Sequence, residues 1–383
     1  MKELMLKINK AIQSSNFDAV LTFGIDNNQY LTGLVLPFLY SYEETMVAVL
    51  WPKSGDPVVF APTFMEHTIQ GMTRVEKIIT YQDVPGELIK KVSDTVRENP
   101  SIRELGIDLY RCSASMYNEI SKNLDCEIHA CDDLLLELRA SKIDEEVKKL
   151  ENIAFKVDHG IFGTAHHVLV RAAKSEMGLS EDIRIHCMER YLEVTGGHAL
   201  SQGASGEHAK KFWPMAPYYG VGKEKQLQTS EYVRLEARYS IDGYWSDGTR
   251  LLTMGNPTLN QKNAYSIIAS LRMKALDCMK PGVKCSDVYE ALAKEAQVHN
   301  AKLYNKIALG HSIGCSVREA PYISGSDETM LKSGMVFVID PIIEGPMGEL
   351  LWSKDTIIIT PEGSKIVGWY KDWREVYVAA YTY

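Results

Sequence analysis

Apolar and polar positions alternate most regularly between residues 233 and 238, where Val233, Leu235 and Ala237 interleave with Arg234, Glu236 and Arg238. A period of two puts the apolar set on one face of a β-strand and the charged set on the other. Ile241-Asp242-Gly243-Tyr244 follows, an Asp-Gly pair between two β-prone runs, and predicts a hairpin with Asp247 near the start of the returning strand. Glu236 and Asp247 on paired strands can face one cavity. A charged strand face is also the ordinary form of a solvated one, so Arg234 and Arg238 read equally as site groups or as surface ion pairs.

The same test divides the rest of the chain. Residues 2 to 15 carry helical spacing, Ala19 to Phe23 strand spacing, and Met46 to Trp51 with Val58 to Ala61 predict a strand pair around the Lys53-Ser54-Gly55-Asp56-Pro57 turn. Helical patterns near 86 to 97 and 113 to 122 alternate with strands at Lys77 to Tyr81 and Leu105 to Asp108. This predicts an α/β domain over 1–135 and a second domain over 136–383. In Ser141-Lys142-Ile143-Asp144 the serine is placed to cap a helix whose face runs Ile143, Val147, Leu150, Ala154, Val157 and Ile161. A second helix is predicted over 180–194, stopping at Thr195-Gly196-Gly197.

Residues 198 to 228 are polar and Gly-rich with little periodicity, and predict either a substrate-covering loop or a plain connector. They hold His198, His208, Trp213, Tyr218 and Tyr219. The aromatic residues of this stretch, together with Trp245, can line a pocket or pack beneath the loop. Helices are predicted over 260–280 and over 285–299, the latter with Ser286 at its cap. Four short segments close the chain: Gly310 to Gly314, Val317 to Pro321, a strand from Met335 to Asp340, and a strand from Leu351 to Thr360, with a Gly-Pro-Met-Gly turn at 345 to 348 between the last two.

Composition narrows the partners. A chain of 383 residues exceeds the usual reach of one core, in keeping with two domains. Net charge is −8 and no basic stripe stands out, which argues against nucleic acid and for a small-molecule or peptide substrate. No apolar run reaches the ~18 residues of a membrane span, so a cytoplasmic protein with no membrane partner is expected. The seven cysteines are odd in number and in no metal-ligand spacing, and read as reduced, mostly buried thiols.

The second domain gathers Glu236, Asp247, His311, Asp340 and Lys354 on strands or glycine-flanked loops. Carboxylates with one histidine are donors suited to a divalent ion, but an ammonium cannot bind a metal while protonated, and beside carboxylates its charged form is favoured.

The order of motifs resembles the family of methionine aminopeptidases, prolidases (Xaa-Pro dipeptidases) and creatinases. The matching pieces are Asp242 to Arg250 for G-Y-x-x-D-x-T-R, Gly310 to Gly314 for G-H-G-I-G, and Gly334 to Pro341 for G-M-x-x-x-x-E-P. Lys280 to Val283 resembles the K-P-G-V between helices, Ala140 through Glu146 resembles R-x-x-K-x-x-x-E-I, and Tyr30 to Gly33 resembles Y-L-T-G. The resemblance spans the whole chain and implies an α/β creatinase-like N-terminal domain followed by a C-terminal pita-bread domain. It further implies a homodimer and a hydrolase.

Active peptidases of the family hold two metal ions with Asp, Asp, His, Glu and Glu. The resemblance places those positions at Glu236, Asp247, His311, Asp340 and Lys354, of which Asp247 and His311 alone are unchanged. The family's second histidine, seven positions after the first, is Arg318 here. The expectation drawn from these departures is no cofactor, or at most one weakly bound divalent metal. Creatinases, the branch that works without metal, then imply His208 as proton shuttle, with His198 as its rival. They also imply Glu236 and Asp340 as a cation-binding pair and Arg318 as carboxylate anchor. His311 and Asp247 complete the catalytic set, and Lys354, Arg234 and Arg238 the substrate-binding set. The expected function is hydrolysis of a C–N bond in a small charged substrate; a metal-dependent Xaa-Pro dipeptidase and a non-catalytic binding protein of the same fold stay open beside it.

Overall fold

The computed structural model describes residues 2–36, 46–84, 86–168, 175–193, 199–211, 225–345, 348–369 and 373–379. The chain divides into two compact units, Met1–Arg139 and Ala140–Tyr383.

The first unit opens with α1 (Lys2–Ser14), which buries Leu4, Ile8 and Ile12 at helical spacing. Its sheet comprises β1 (Ala19–Thr22), β2 (Ala48–Pro52), β3 (Val58–Pro62), β4 (Lys77–Tyr81), β5 (Glu104–Ile107) and β6 (Glu127–Ala130), in the order β4-β3-β2-β1-β5-β6. The β1–β2 and β2–β3 pairs are antiparallel, and β3–β4, β1–β5 and β5–β6 are parallel. Helices α2 (Ile25–Thr32), α3 (Glu66–Gln70), α4 (Glu87–Arg97), α5 (Ala114–Asn123) and α6 (Asp132–Ala140) complete the unit. Leu21, Leu50, Phe60, Ile89, Val92 and Leu105 lie in its core. Helix α6 was not predicted: Asp132-Asp133 followed by three leucines shows no turn signal that separates it from the chain before it.

In the second unit the long helix α7 (Asp144–Val168) starts two residues later than the serine cap predicts. Ser141 instead forms a bridge with Met335, and Lys142 N–H bonds Gly334 O, so the chain is still extended there. The Glu146 carboxylate accepts from Ile143 N–H at 3.0 Å, supplying the cap from inside the helix. Helix α8 (Glu176–Met188) begins earlier than predicted because Ser175 caps Gly178 N–H. The Thr195-Gly196-Gly197 stop lies outside the described residues.

Three sheets follow. The first runs β18-β9-β8-β7, from β7 (Leu200–Ser205), β8 (Tyr232–Ile241), β9 (Tyr244–Met254) and β18 (Tyr377–Ala379). Strand β7 corrects the prediction of a structureless loop: Leu-Ser-Gln-Gly-Ala-Ser lacks apolar alternation because both its faces are covered. Helix α8 lies so close to it that a Cβ on Gly203 would come within 2.3 Å of Leu179 Cβ. The second sheet, β12-β11-β13-β16-β17, uses β11 (Gly310–Ser312), β12 (Glu319–Tyr322), β13 (Val336–Ile339), β16 (Asp355–Thr360) and β17 (Gly363–Val367). The third is β10 (Lys302–Leu303), β14 (Ile343–Glu344) and β15 (Leu350–Leu351). The expected strand from Leu351 to Thr360 is thus two strands separated at Trp352-Ser353-Lys354.

Helices α9 (Leu259–Cys278) and α10 (Cys285–Val298) form a core with the second sheet through Ile268, Leu271, Val288, Leu292, Phe337 and Ile357. Thr258 and Gln261 make a capping box on α9, while the cap of α10 is Lys284 and not Ser286. All seven cysteines are free. Among the described residues no helix is long and apolar enough to cross a membrane.

Candidate functional site

The hairpin of β8 and β9 turns at Asp242 and Gly243, both with positive φ (50° and 69°), the pairing a two-residue primed turn requires. That turn sets the register, which places Arg238 opposite Asp247 and Glu236 opposite Thr249. Lys354 then joins the hairpin through its backbone: its N–H donates to Thr249 O at 3.0 Å, and Arg250 donates to Lys354 O. Arg250 is itself held by Asp158 (2.9 Å) and Asp355 (3.1 Å), and Arg272 by Asp355 (2.9 Å), so a buried ion network fixes the segment that carries Lys354.

The Lys354 ammonium donates to Glu236 Oε1 at 2.9 Å and to both Asp247 oxygens at 3.2 and 3.0 Å. Arg238 lies 3.4 Å from Asp247 and 3.8 Å from Glu236, and Arg234 Nε lies 4.0 Å from Glu236. Burial alone would raise the Asp247 carboxyl, but Lys354 and then Arg238 hold it well below the usual carboxylate range. At Asp340 burial outweighs the charges of Lys354 and Arg318, and its carboxyl is pushed up to about 7. His311 donates from Nδ1 to Ser312 O at 3.0 Å, and burial, then the charge of Arg318, push its imidazolium down to about 3. The imidazole is therefore neutral across the working pH range.

Arg234 and Arg238 do not form a solvated strand face: both lie within ion-pair reach of Glu236. Arg234 is 0% exposed, stacks on Trp352 with 4.1 Å from Cζ to the ring centroid, and donates to Ala209 O and Lys211 O. It thereby ties the segment after β7 to the strand that carries Glu236. The partners of Glu236 are cations of this chain, which removes it from a free cation-binding pair with Asp340. Arg318 is exposed, and its charge acts on both His311 and Asp340. His208 is half-exposed and follows β7; its Nδ1 lies 2.8 Å from Glu176 Oε2. His198, Trp213, Tyr218 and Tyr219 lie outside the described residues, and Trp245 is buried.

Three groups escaped sequence reasoning. Glu176 meets His208 across 32 positions with no motif joining them. Lys142 reaches Ser312 Oγ (2.9 Å) and Glu319 (3.2 Å), and so braces the strands that carry His311 and lead away from Arg318. Asp158 holds Arg250 from the apolar face of α7, four residues after Ala154 and three before Ile161, where an acid has no partner legible in the sequence. Each of these contacts is long-range, and only the fold brings the partners together.

Two family models match the chain: the Creatinase/Prolidase N-terminal domain over residues 5–141 and metallopeptidase family M24 over residues 153–361. Similar proteins include an Xaa-Pro dipeptidase of Pyrococcus horikoshii, 25% identical over 375 residues (95% of this chain, 96% of that relative). An uncharacterized peptidase of Staphylococcus epidermidis is 24% identical over 371 residues, covering 95% of this chain and 98% of its own length. Among solved structures, an Xaa-Pro dipeptidase from Bacillus anthracis superposes with a TM-score of 0.79 at 22% identity, over 98% of this chain and 99% of that one. Dipeptidase PepE from Mycobacterium ulcerans does so with a TM-score of 0.81 at 20% identity, over 99% and 98%. The expected fold, an α/β N-terminal domain followed by a pita-bread domain, is borne out.

The expectation of no cofactor, or at most one weakly bound metal, is corrected by the same match, because the matched family is one of metallopeptidases. The donors in their present arrangement nonetheless do not fit a pair of ions. Lys354 Nζ takes the carboxylate oxygens of Glu236 and Asp247 that ions would need. Among the described residues, three metal-type side chains converge within 4.8 Å only at Glu104, Glu127 and His129, in the first unit. No catalytic step is therefore derived through a metal.

Proposed function

The chain belongs to metallopeptidase family M24 and is a hydrolase of the prolidase type, and from that premise we propose that it cleaves the C–N bond of a small charged substrate of dipeptide size, Xaa-Pro dipeptides foremost. The observation that carries the reading is the buried charge cluster of Glu236, Asp247, Arg238 and Lys354, with His311 and Asp340 within reach of its charges. A relative named Xaa-Pro dipeptidase that matches almost end to end supports the substrate class.

In this reading Asp247 stays ionised and, with Glu236, fixes the Lys354 ammonium as a permanent positive charge beside the reacting group. Such preorganised charge stabilises an oxyanion that develops at a carbonyl carbon. Arg318 is the exposed cation that can take a substrate carboxylate at the mouth. His208 moves protons. A homodimer goes with the same proposal, and light scattering that returns a single chain's mass would remove it.

The test is turnover of Gly-Pro and Met-Pro dipeptides, with creatine and other guanidino compounds as a second set, each with and without added manganese, zinc or cobalt and alongside elemental analysis. Release of free proline with either metal setting supports the reading. Ligands that stabilise the protein yet are never consumed would overturn it.

A further inference from the structure

The pairing of His208 with Glu176 has a definite chemical sense. Glu176 lies in the first turn of α8, is 0% exposed, and accepts through Oε1 from Ser205 N–H (2.6 Å) and Ser205 Oγ (3.1 Å). Its second oxygen, Oε2, is left for His208 Nδ1 at 2.8 Å. A carboxylate only accepts, so Nδ1 carries the hydrogen, and in the neutral ring the lone pair is then on Nε2. The ring is 38% exposed, against complete burial of its partner. The backbone around it is fixed as well: His208 N–H bonds Ser205 O, Arg234 holds Ala209 O and Lys211 O, and Leu350 N–H bonds Lys210 O. Nearby charges are Glu207 and Lys210 on the same loop, and Lys225, which bonds Ser205 Oγ and Glu231.

We propose that Glu176 is the positioning residue of a buried carboxylate–imidazole pair that presents His208 Nε2 as the general base of this site. The proposal rests on the hydrolytic reading above. In the step it supports, Nε2 takes a proton from the attacking water while the water oxygen forms its bond to the substrate carbon. The C–N bond then breaks and Nε2 returns that proton to the departing nitrogen, so the imidazole ends as it began. Glu176 keeps the ring in the reactive tautomer throughout and is not itself protonated, the role an orienting carboxylate plays in hydrolytic triads.

Two measurements decide it. Ring-nitrogen NMR of the histidine-labelled full chain needs no substrate: wild type should show His208 as the Nδ1–H tautomer. Glu176→Gln places an amide, a donor, against Nδ1 and should invert the tautomer to Nε2–H, while Glu176→Asp should retain Nδ1–H. With a cleaved dipeptide, Glu176→Gln should lower kcat on the order of 10²-fold with KM little changed. Glu176→Asp should recover most of that loss, and adding Glu176→Gln to His208→Gln should cost nothing further. A wild-type Nε2–H tautomer, or an unchanged kcat in Glu176→Gln, overturns the pair. If the wild type cleaves neither substrate set, the functional reading fails by itself, and the tautomer measurement still decides the pairing.

Discussion

Lys354 is the residue on which the site's electrostatics turn. Its ammonium is buried with two carboxylates and an arginine, and a buried pair broken on one side leaves uncompensated charge. Lys354→Ala should therefore lower stability by about 3–5 kcal/mol, read from urea denaturation. A loss below about 1 kcal/mol would mean that Arg238 alone compensates Glu236 and Asp247. The neighbouring Arg250 makes a second test, because it holds Asp158, Asp355 and the Lys354 carbonyl together. Arg250→Lys keeps the charge but loses the fork, and should depress both stability and turnover; unchanged turnover would show that Lys354 is placed by its side-chain partners alone. These residues were legible in the sequence as charges at family positions. Their pairing was not, because a one-dimensional pattern shows that Arg234 and Arg238 share a face with Glu236 but not that Trp352 and Lys354 cover that face.

At the scale of elements, legibility followed periodicity. The hairpin of β8 and β9 shows itself through alternation and an Asp-Gly turn, and α9 through its apolar stripe. Strand β7 hides because its small residues serve close packing and leave no alternation to read. The start of α7 was misplaced because the acidic residue that caps it, Glu146, lies inside the helix, whereas Ser141 bridges to Met335. The packing of α8 on β7 gives the prediction at this scale. Gly203→Ala puts a Cβ within 2.3 Å of Leu179 Cβ and 3.3 Å of Glu176 O, so the helix must shift. Overpacking of this kind costs about 1–3 kcal/mol. Because Glu176 moves with the helix, turnover should fall more than stability does; a fall in stability with full activity would uncouple the helix from His208.

For the molecule as a whole, each unit buries a carboxyl that acid should stabilise, and the second unit also holds one that acid should not. In the first, burial outweighs the bonds from Asn27, Gly24 and Phe23 and pushes the Asp108 carboxyl up from 3.8 to about 6. A folded value above the unfolded one means stability that is fully present below pH 3.8 and lost as pH rises through about 6. In the second unit Asp340, pushed up to about 7, follows the sign of Asp108, whereas Asp247 is held below 3.8, so its contribution is present above that pH and lost as pH falls further. Trp51 is the one tryptophan of residues 1–139, and the other five of the six lie in the second unit. Between pH 6 and 4 the urea midpoint reported by Trp51, isolated by difference from Trp51→Phe, should rise, and Asp108→Asn should abolish that rise. A rise of the same size in Asp108→Asn would show that Asp108 does not cause it.

The bond from Lys354 N–H to Thr249 O has a consequence for how this chain can change over generations. It fixes the side chain by its backbone, so whatever residue stands at 354 points at Glu236 and Asp247. Lysine and glutamate codons differ by a single base, and one such mutation would replace an internal cation with a third carboxylate at that point. Arg238 alone could not balance the three, and the variant's folding would then depend on a cation drawn from solution. A single inherited base thus decides whether residue 354 meets Glu236 and Asp247 with a matching charge or with a like one.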